Sequence, residues 1–96
     1  MDEFARLVPA HVGRRIRRRR RALDITQEEL ASGAGIARSQ VSLVEHGKVM
    51  PRLDTLILLA RALDVAEVQL LAGIDEDAVD RRRRRPIAFP DPADRG

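Results

Sequence analysis

The spacing of apolar residues predicts a bundle of short helices. Apolar side chains recur at the three- and four-residue intervals of amphipathic α-helices rather than at the two-residue interval of strands. Val12, Ile16 and Leu23 form one such stripe, which predicts a first helix from about Pro9 to Leu23. Proline suits the first turn, because an N–H there has no helical acceptor to lose. Residues 1–8 are therefore expected to form an N-terminal extension.

Capping signals predict a short second helix. Thr26 with Glu29 three residues later forms a capping box, so a helix over residues 27–34 is expected. Gly35 follows directly and can adopt the left-handed conformation that ends a helix. The side chains of this helix that are expected to face the core are Leu30, Ala31 and Ala34.

The third predicted helix covers about residues 38–46 and is closed by Gly47, with Ala37, Val41 and Val44 expected to face inward. Glu45 also falls on the inner side of this helix on a helical wheel. Arg20 falls on the inner side of the first helix, beside Ile16. Burying either charge alone is costly. We therefore predict an ion pair between Arg20 and Glu45, with bidentate geometry available to the guanidinium.

The remaining arginines of the run "GRRIRRRRRALD" separate on the same wheel. Arg19 falls beside Ile16, toward the core. Four others lie opposite the apolar stripe, in water: Arg14, Arg17, Arg18 and Arg21. They form either a solvated face or a source of long-range attraction for a polyanion.

Two more helices complete the predicted domain. Pro51 opens the fourth, and its expected buried stripe is Leu53, Leu56, Ala60 and Leu63. The fifth covers about residues 66–71, offers Val68, Leu70 and Leu71 to the core, and stops at Gly73. Leu58 lies away from the buried stripe of the fourth helix, and Ile57 flanks it. We therefore expect a homodimer contact at Ile57 and Leu58, with Leu71.

Length and composition exclude several classes of protein. A chain of 96 residues is expected to hold one small domain. It has no cysteine, and its two histidines are not at metal-ligand spacing, so no metal and no cofactor is expected. No apolar run is long enough to span a bilayer, so we expect a soluble intracellular protein. No nucleophile, base and orienting group converge as an enzyme requires.

The charge pattern favours a double-stranded polyanion as partner. Residues 13–52 hold ten basic and four acidic residues, whereas residues 53–80 hold one basic and seven acidic residues. One surface can therefore attract a polyanion while another is kept away from it. The only aromatic residues are Phe4 and Phe89, so no aromatic platform is available to stack single-stranded bases.

The outward face of the third predicted helix suits a DNA major groove. Small hydroxyl side chains, Ser39 and Ser42, allow close approach and can donate to base edges or phosphates. Arg38 can bond guanine bidentately, and Leu43 can contact a thymine methyl group. His46 and Lys48 lie at the far end of this face.

Three stretches, "RRRRALDITQEELA", "GIARSQVSLVEHGK" and "PRLDTLILLARALDV", resemble the helix-turn-helix domain shared by lambda-type repressors, Cro proteins and Xre-like regulators. The resemblance covers about residues 12–71. It implies an all-α, compact five-helix lambda-repressor-like domain, which we place at residues 9–73. It also implies a bacterial or phage-encoded, cytoplasmic, nucleoid-associated regulator of transcription, and we expect a repressor that binds a palindromic operator as a homodimer.

Site roles follow from the resemblance position by position. The residues expected to contact bases are Arg38, Ser39, Ser42 and Leu43. Those expected to contact phosphates are Gln27, Gln40, His46, Lys48 and Arg52. Gln27 would also brace the third helix, and Arg20 with Glu45 occupies the family's structural ion-pair position. Two departures are Ala37, where the family usually has a capping Ser or Thr, and Leu43, which is often polar in relatives.

A charged, proline-containing tail is expected over residues 74–96. Its start permits a short helix over about residues 75–84. Beyond Arg85 we expect disorder in the absence of a partner. The five arginines at 81–85 are solubilising charge, a second DNA-contacting arm or a strip that binds an acidic protein. The tail also supports an alternative function, an antitoxin-type protein whose tail binds a protein partner while its helix-turn-helix autoregulates.

Overall fold

The computed structural model describes residues 3–74 (for Phe4, the backbone alone). They form five α-helices joined by turns, with no strand in this range, as the sequence predicts. The helices are α1 (Glu3–Ala22), α2 (Gln27–Ala34), α3 (Arg38–Glu45), α4 (Leu53–Ala62) and α5 (Glu67–Leu71). Our predictions for residues 75–96, including those for the five tail arginines, lie outside the described residues.

Helix α1 begins six residues earlier than its proline indicates. The structure places Pro9 inside the helix, and the acidic Glu3 occupies the first turn, where the helix dipole favours a negative charge. Val8 packs against the core, so the turn before the proline is held by tertiary contact. The prediction that the helix begins near Pro9 is therefore wrong.

The same backbone motif ends each of the first four helices. In this Schellman motif, one residue adopts the left-handed conformation and two backbone N–H groups turn back to carbonyls of the last turn. At the end of α2, Gly35 has φ 70°, its N–H donates to Ser32 and that of Ile36 donates to Ala31. Gly47 has the corresponding role after α3. Both glycines thus act as the sequence predicts.

Aspartates replace glycine in the other two motifs. Asp24 has φ 57° and Asp64 has φ 55°, and both follow the sequence Ala-Leu at a helix end. Aspartate tolerates this region better than most residues, because its short polar side chain can hydrogen-bond locally. The next residues, Ile25 and Val65, pack against the core. These apolar contacts fix the direction in which the chain enters the next helix.

The core lies where α1, α2, α3 and α4 meet, and α5 closes one end through Leu70. Its fully buried large side chains are Val12, Ile16, Leu30, Val41, Val44, Leu59 and Leu63. The predicted inner residues of α2 are buried. On α4, however, Leu59 is buried, whereas Leu53 is 72% exposed. The prediction that Leu53 belongs to the buried stripe is therefore wrong, because the buried face of α4 is centred on Leu56, Leu59 and Leu63, and Leu53 lies to one side of it.

Four other residues expected to face inward lie at the surface. Leu23 follows the last turn of α1, and Ala37 precedes α3 as its N-cap, so neither is covered by a neighbouring helix. On α5, only Leu70 reaches the core. Val68 is 68% exposed and Leu71 is also exposed, because a helix of five residues presents one narrow face to α1 and α4.

Glycine allows α1 and α3 to pack closely. A Cβ at Gly13 would overlap the backbone carbonyl oxygen of Val44 and would lie 2.9 Å from that of Glu45. Only a residue without a side chain fits there. The close approach brings the last turn of α3 against the middle of α1, where Arg20 can reach Glu45.

Candidate nucleic-acid interface

The outer face of α3 is open to solvent. The side chains of Arg38 and Ser39 are exposed, and Leu43 is 46% exposed, whereas Val41 and Val44 on the opposite face are buried. This eight-residue helix, with its apolar side in the core, presents an arginine, short polar groups and one leucine to a partner. This arrangement matches the expectation from the helical wheel.

The other predicted contact residues lie around this face. Ser42 and Gln40 are half-buried on α3, and His46, Lys48 and Arg52 are exposed in the segment that follows it. Gln27 is half-buried at the start of α2. A shallow groove that includes Gln27 and Arg38 runs beside the start of α2. The structure thus gathers these residues around α3, while their contacts with DNA stay predictions.

An ion pair between α1 and α3 holds the helix in place. Nε of Arg20 donates to Oε2 of Glu45 at 2.6 Å, and Nη2 donates to Oε1 at 3.0 Å. The side chain of Glu45 is only 1% exposed. The hydrogen bond to Glu45 raises the pKa of Arg20 despite the opposing effect of burial. The predicted pair is therefore present and bidentate.

The same ion pair reaches two further elements. Nη1 of Arg20 donates to the backbone carbonyl of Ile25 at 2.9 Å, which ties down the turn before α2. Nε2 of Gln27 donates to Oε1 of Glu45 at 3.2 Å. The Arg20 guanidinium and the Gln27 amide thus both donate to one buried carboxylate, which locks α1, α2 and α3 together. Gln27 has the bracing role that the resemblance implies.

The two ends of α3 differ in how their polar groups are satisfied. Ala37 provides no side-chain cap, as its residue type predicts. At the other end, Nδ1 of His46 donates to the carbonyl of Ser42 at 2.8 Å. A neutral imidazole then has only an acceptor, Nε2, to offer a ligand. A contact from His46 to a phosphate oxygen therefore requires the imidazolium form.

A row of basic side chains on α1 caps the ends of α4 and α5, and the sequence reasoning missed most of it. The carbonyl of Ala72 accepts from Nε2 of His11 at 2.6 Å and from Nη2 of Arg15 at 2.8 Å. The carbonyl of Leu63 accepts from Nε of Arg19 at 2.9 Å. The three donors stand four residues apart, so they share one face of α1. That spacing was a signal available in the sequence.

Neither a metal cluster nor a membrane span is found in the described part of the chain. Among residues 3–74, no group of three or more His, Cys, Asp or Glu side chains could hold a metal ion. Within the same residues, no helix is long and apolar enough to cross a membrane.

Comparison with known proteins agrees with the geometry of α2 and α3. The profile of the helix-turn-helix family matches residues 16–70. The HTH-type transcriptional regulator y4dJ of Sinorhizobium fredii is 38% identical over 65 residues, which cover 68% of this chain and 84% of that protein. The HTH-type transcriptional regulator YobD of Bacillus subtilis is 36% identical over 73 residues, covering 76% of this chain and 64% of YobD.

Two solved structures share the fold at substantial identity. The restriction-modification controller protein C.AhdI of Aeromonas hydrophila superposes with a TM-score of 0.63 at 37% identity, covering 65% of this chain and 94% of C.AhdI. The transcription factor NHTF of Neisseria gives a TM-score of 0.66 at 31% identity, covering 77% of this chain and 84% of NHTF. The members of this family are DNA-binding regulators rather than enzymes. This chain therefore belongs to the helix-turn-helix family of Xre- and lambda-repressor-like transcriptional regulators.

Proposed function

We propose that the chain binds a specific double-stranded DNA sequence as a homodimer and represses transcription from a palindromic operator. The observation that carries the proposal is the combination of an exposed polar face on α3 with a buried ion pair behind it. Such an anchored helix can enter the major groove without first being ordered, so less conformational entropy is lost on binding. Occupation of a promoter then excludes polymerase.

Base contacts are assigned to the four residues on the exposed side of α3: Arg38, Ser39, Ser42 and Leu43. A guanidinium can donate two hydrogen bonds to guanine, and an exposed leucine can contact a thymine methyl group. Phosphate contacts are assigned to Gln27, Gln40, His46, Lys48 and Arg52. These residues surround the reading face, where the backbone of a bound duplex passes.

A homodimer sets the spacing of two half-sites. In the proposed contact, Leu58 of α4 is 44% exposed, Leu71 of α5 is 37% exposed and Ile57 is half-buried. Burial of these side chains between two copies removes apolar surface from water. A twofold axis would place the two α3 helices one helical turn of DNA apart.

Selection of bound duplexes from a random pool tests the proposal. We expect an enriched palindrome. Arg38→Ala should relax the preference at one base position of each half-site by about 1–3 kcal/mol. Lys48→Ala should instead weaken binding to all DNA sequences alike. It should also reduce the slope of log K against log salt concentration by about 0.9. Enrichment of no sequence, or equal effects of the two substitutions on preference, would contradict the proposal.

A further inference from the structure

A groove between α1 and α5 carries positive charge that the described carboxylates leave uncompensated. It encloses about 260 Å³, and its walls include Arg15, Arg18, Arg19 and Ala22 of α1 on one side and Val65 and Leu70 on the other. A second depression of about 140 Å³ adjoins it and is lined by His11, Arg14, Arg15 and Arg18. Because the two share Arg15 and Arg18, we treat them together as the basic groove.

The basic groove lies apart from both ion pairs found within residues 3–74. Those pairs are Arg20 with Glu45 and Arg52 with Asp54. Among residues 3–74, no acidic side chain lines either depression. Neighbouring cations on one short stretch of helix repel one another and raise the local potential. The groove therefore offers a site for an anionic ligand with some apolar surface.

The chain leaves the described part of the molecule at the edge of this groove. The carbonyl of Ala72 accepts hydrogen bonds from His11 and Arg15. Gly73 follows with φ 78°, and a Cβ on it would lie 3.0 Å from Nη2 of Arg15. Ile74 is half-buried. The end of the described range, at Ala72 and Gly73, therefore lies against His11 and Arg15.

The next residues have the complementary chemistry. Residues 75–80 read Asp-Glu-Asp-Ala-Val-Asp, which are four carboxylates and two small apolar side chains. Six extended residues span about 20 Å. The stretch of α1 from His11 to Arg19 rises only about 12 Å. The segment is thus long enough to reach every basic residue of the groove.

We propose that residues 75–80 bind the basic groove of their own chain, with carboxylates against Arg14 and Arg18 and with Val79 toward the apolar wall. Because residues 75–80 belong to the same chain and directly follow Ile74, their effective concentration at the groove is about millimolar. This concentration favours them over a separate acidic partner. Arg15 and Arg19 are already held by backbone carbonyls, so less side-chain entropy is lost when the segment binds. Binding neutralises one face of α1.

A paramagnetic label on the acidic segment tests the proposal in the full chain. The protein has no native cysteine, so Ala78→Cys gives a single site for a nitroxide. We expect the label to broaden the amide signals of residues 11–18 and 65–70. Replacing the segment's acids (Asp75→Asn, Glu76→Gln, Asp77→Asn, Asp80→Asn) should reduce that broadening about twofold or more, as should raising the salt from about 0.1 M to about 1 M.

A matched pair of basic variants identifies the binding surface. Arg14→Gln with Arg18→Gln should reduce the broadening as strongly as the acidic replacements. Arg38→Gln with Arg61→Gln removes two exposed charges elsewhere and should leave it unchanged. Broadening that survives the groove variant would overturn the proposal, because the segment would then pair with other groups such as the five arginines at 81–85.

A mixture of labelled and unlabelled chains decides whether the contact is made in the same molecule. In this mixture, only the chains without a nitroxide carry ¹⁵N. We expect no broadening of their signals over residues 11–18. Broadening there would show that a second copy supplies the acidic segment, and it would overturn the assignment to the same chain.

Discussion

At the scale of single residues, the arginines of α1 have two different roles. The inner ones bind oxygens of other elements: Arg20 binds Glu45 and Ile25, and Arg15 and Arg19 bind carbonyls after α5 and α4. Each guanidinium donates to a backbone carbonyl, and Arg15 and Arg19 serve carbonyls at helix ends that have no donor within their own helix. The outer residues, such as Arg21, remain in solvent. Charge density alone therefore does not tell structural arginines from surface ones.

Replacing the inner arginine, Arg20, should lower the free energy of unfolding far more than replacing an outer one. Arg20→Met leaves Glu45 buried beside only Gln27, so the free energy of unfolding should fall by about 3–5 kcal/mol. Arg21→Met, the same change at an exposed position of the same helix, should alter it by no more than about 0.5 kcal/mol. Urea unfolding followed by helical circular dichroism measures both. Similar losses in the two variants would show that the pair contributes little.

At the scale of helices, two glycines that both lie inside a helix differ in what packs against them. Gly13 lies inside α1 against the backbone of α3, whereas Gly33 lies inside α2 with only the Cβ of Ala62 near its open side, at 3.7 Å. Glycine weakens a helix unless a close contact requires it. The tertiary contact therefore determines whether each glycine supports or weakens the domain.

Alanine substitutions at these two positions should change stability in opposite directions. Gly13→Ala forces α1 and α3 apart and should lower the free energy of unfolding by about 1–3 kcal/mol or more. Gly33→Ala makes an ordinary contact and should raise it by about 0.5–1 kcal/mol through better helix propensity. Thermal and urea unfolding of both variants check this. Stabilisation by Gly13→Ala would contradict the close approach of the two helices.

At the scale of the whole molecule, two of the exposed leucines mark two proposed surfaces. Leu43 lies on the proposed DNA face of α3, and Leu58 lies on α4 in the proposed dimer contact, with nearly equal exposure of 46% and 44%. Their similar exposure makes them matched probes of two separate roles. Each role can be tested by the same chemical change.

A negative charge at Leu58 should disrupt the proposed dimer contact, which lies outside the core of the folded chain. Leu58→Glu should reduce the mass measured by light scattering to that of one chain at concentrations where the parent is a dimer, because a carboxylate is costly to bury in an apolar contact. Leu43→Glu should leave the mass in the absence of DNA unchanged. An unchanged mass for Leu58→Glu would argue against a dimer contact at this position.

Much of the fold could be predicted because its signals are local. The capping box at Thr26, the glycine stops at Gly35 and Gly47, and the apolar stripe of α2 all depend on neighbouring residues. The ion pair between Arg20 and Glu45 was also predictable, because two opposite charges on inner faces must find partners. The same rules placed the reading face of α3, while the DNA contacts themselves stay predictions.

Other features depended on which helices cover one another. Helix α1 begins before Pro9 because Val8 packs against the core. Leu53 is exposed because it lies to one side of the face of α4 that Leu56 and Leu59 bury. The hydrogen bonds from His11 and Arg15 to Ala72 join residues far apart in the chain. Sequence periodicity alone determined the helices, their turns and the inner and outer faces, because these follow from local backbone and burial preferences. Only the tertiary structure decided where the core ends and which carbonyls the arginines cap, because both depend on the distances between packed helices.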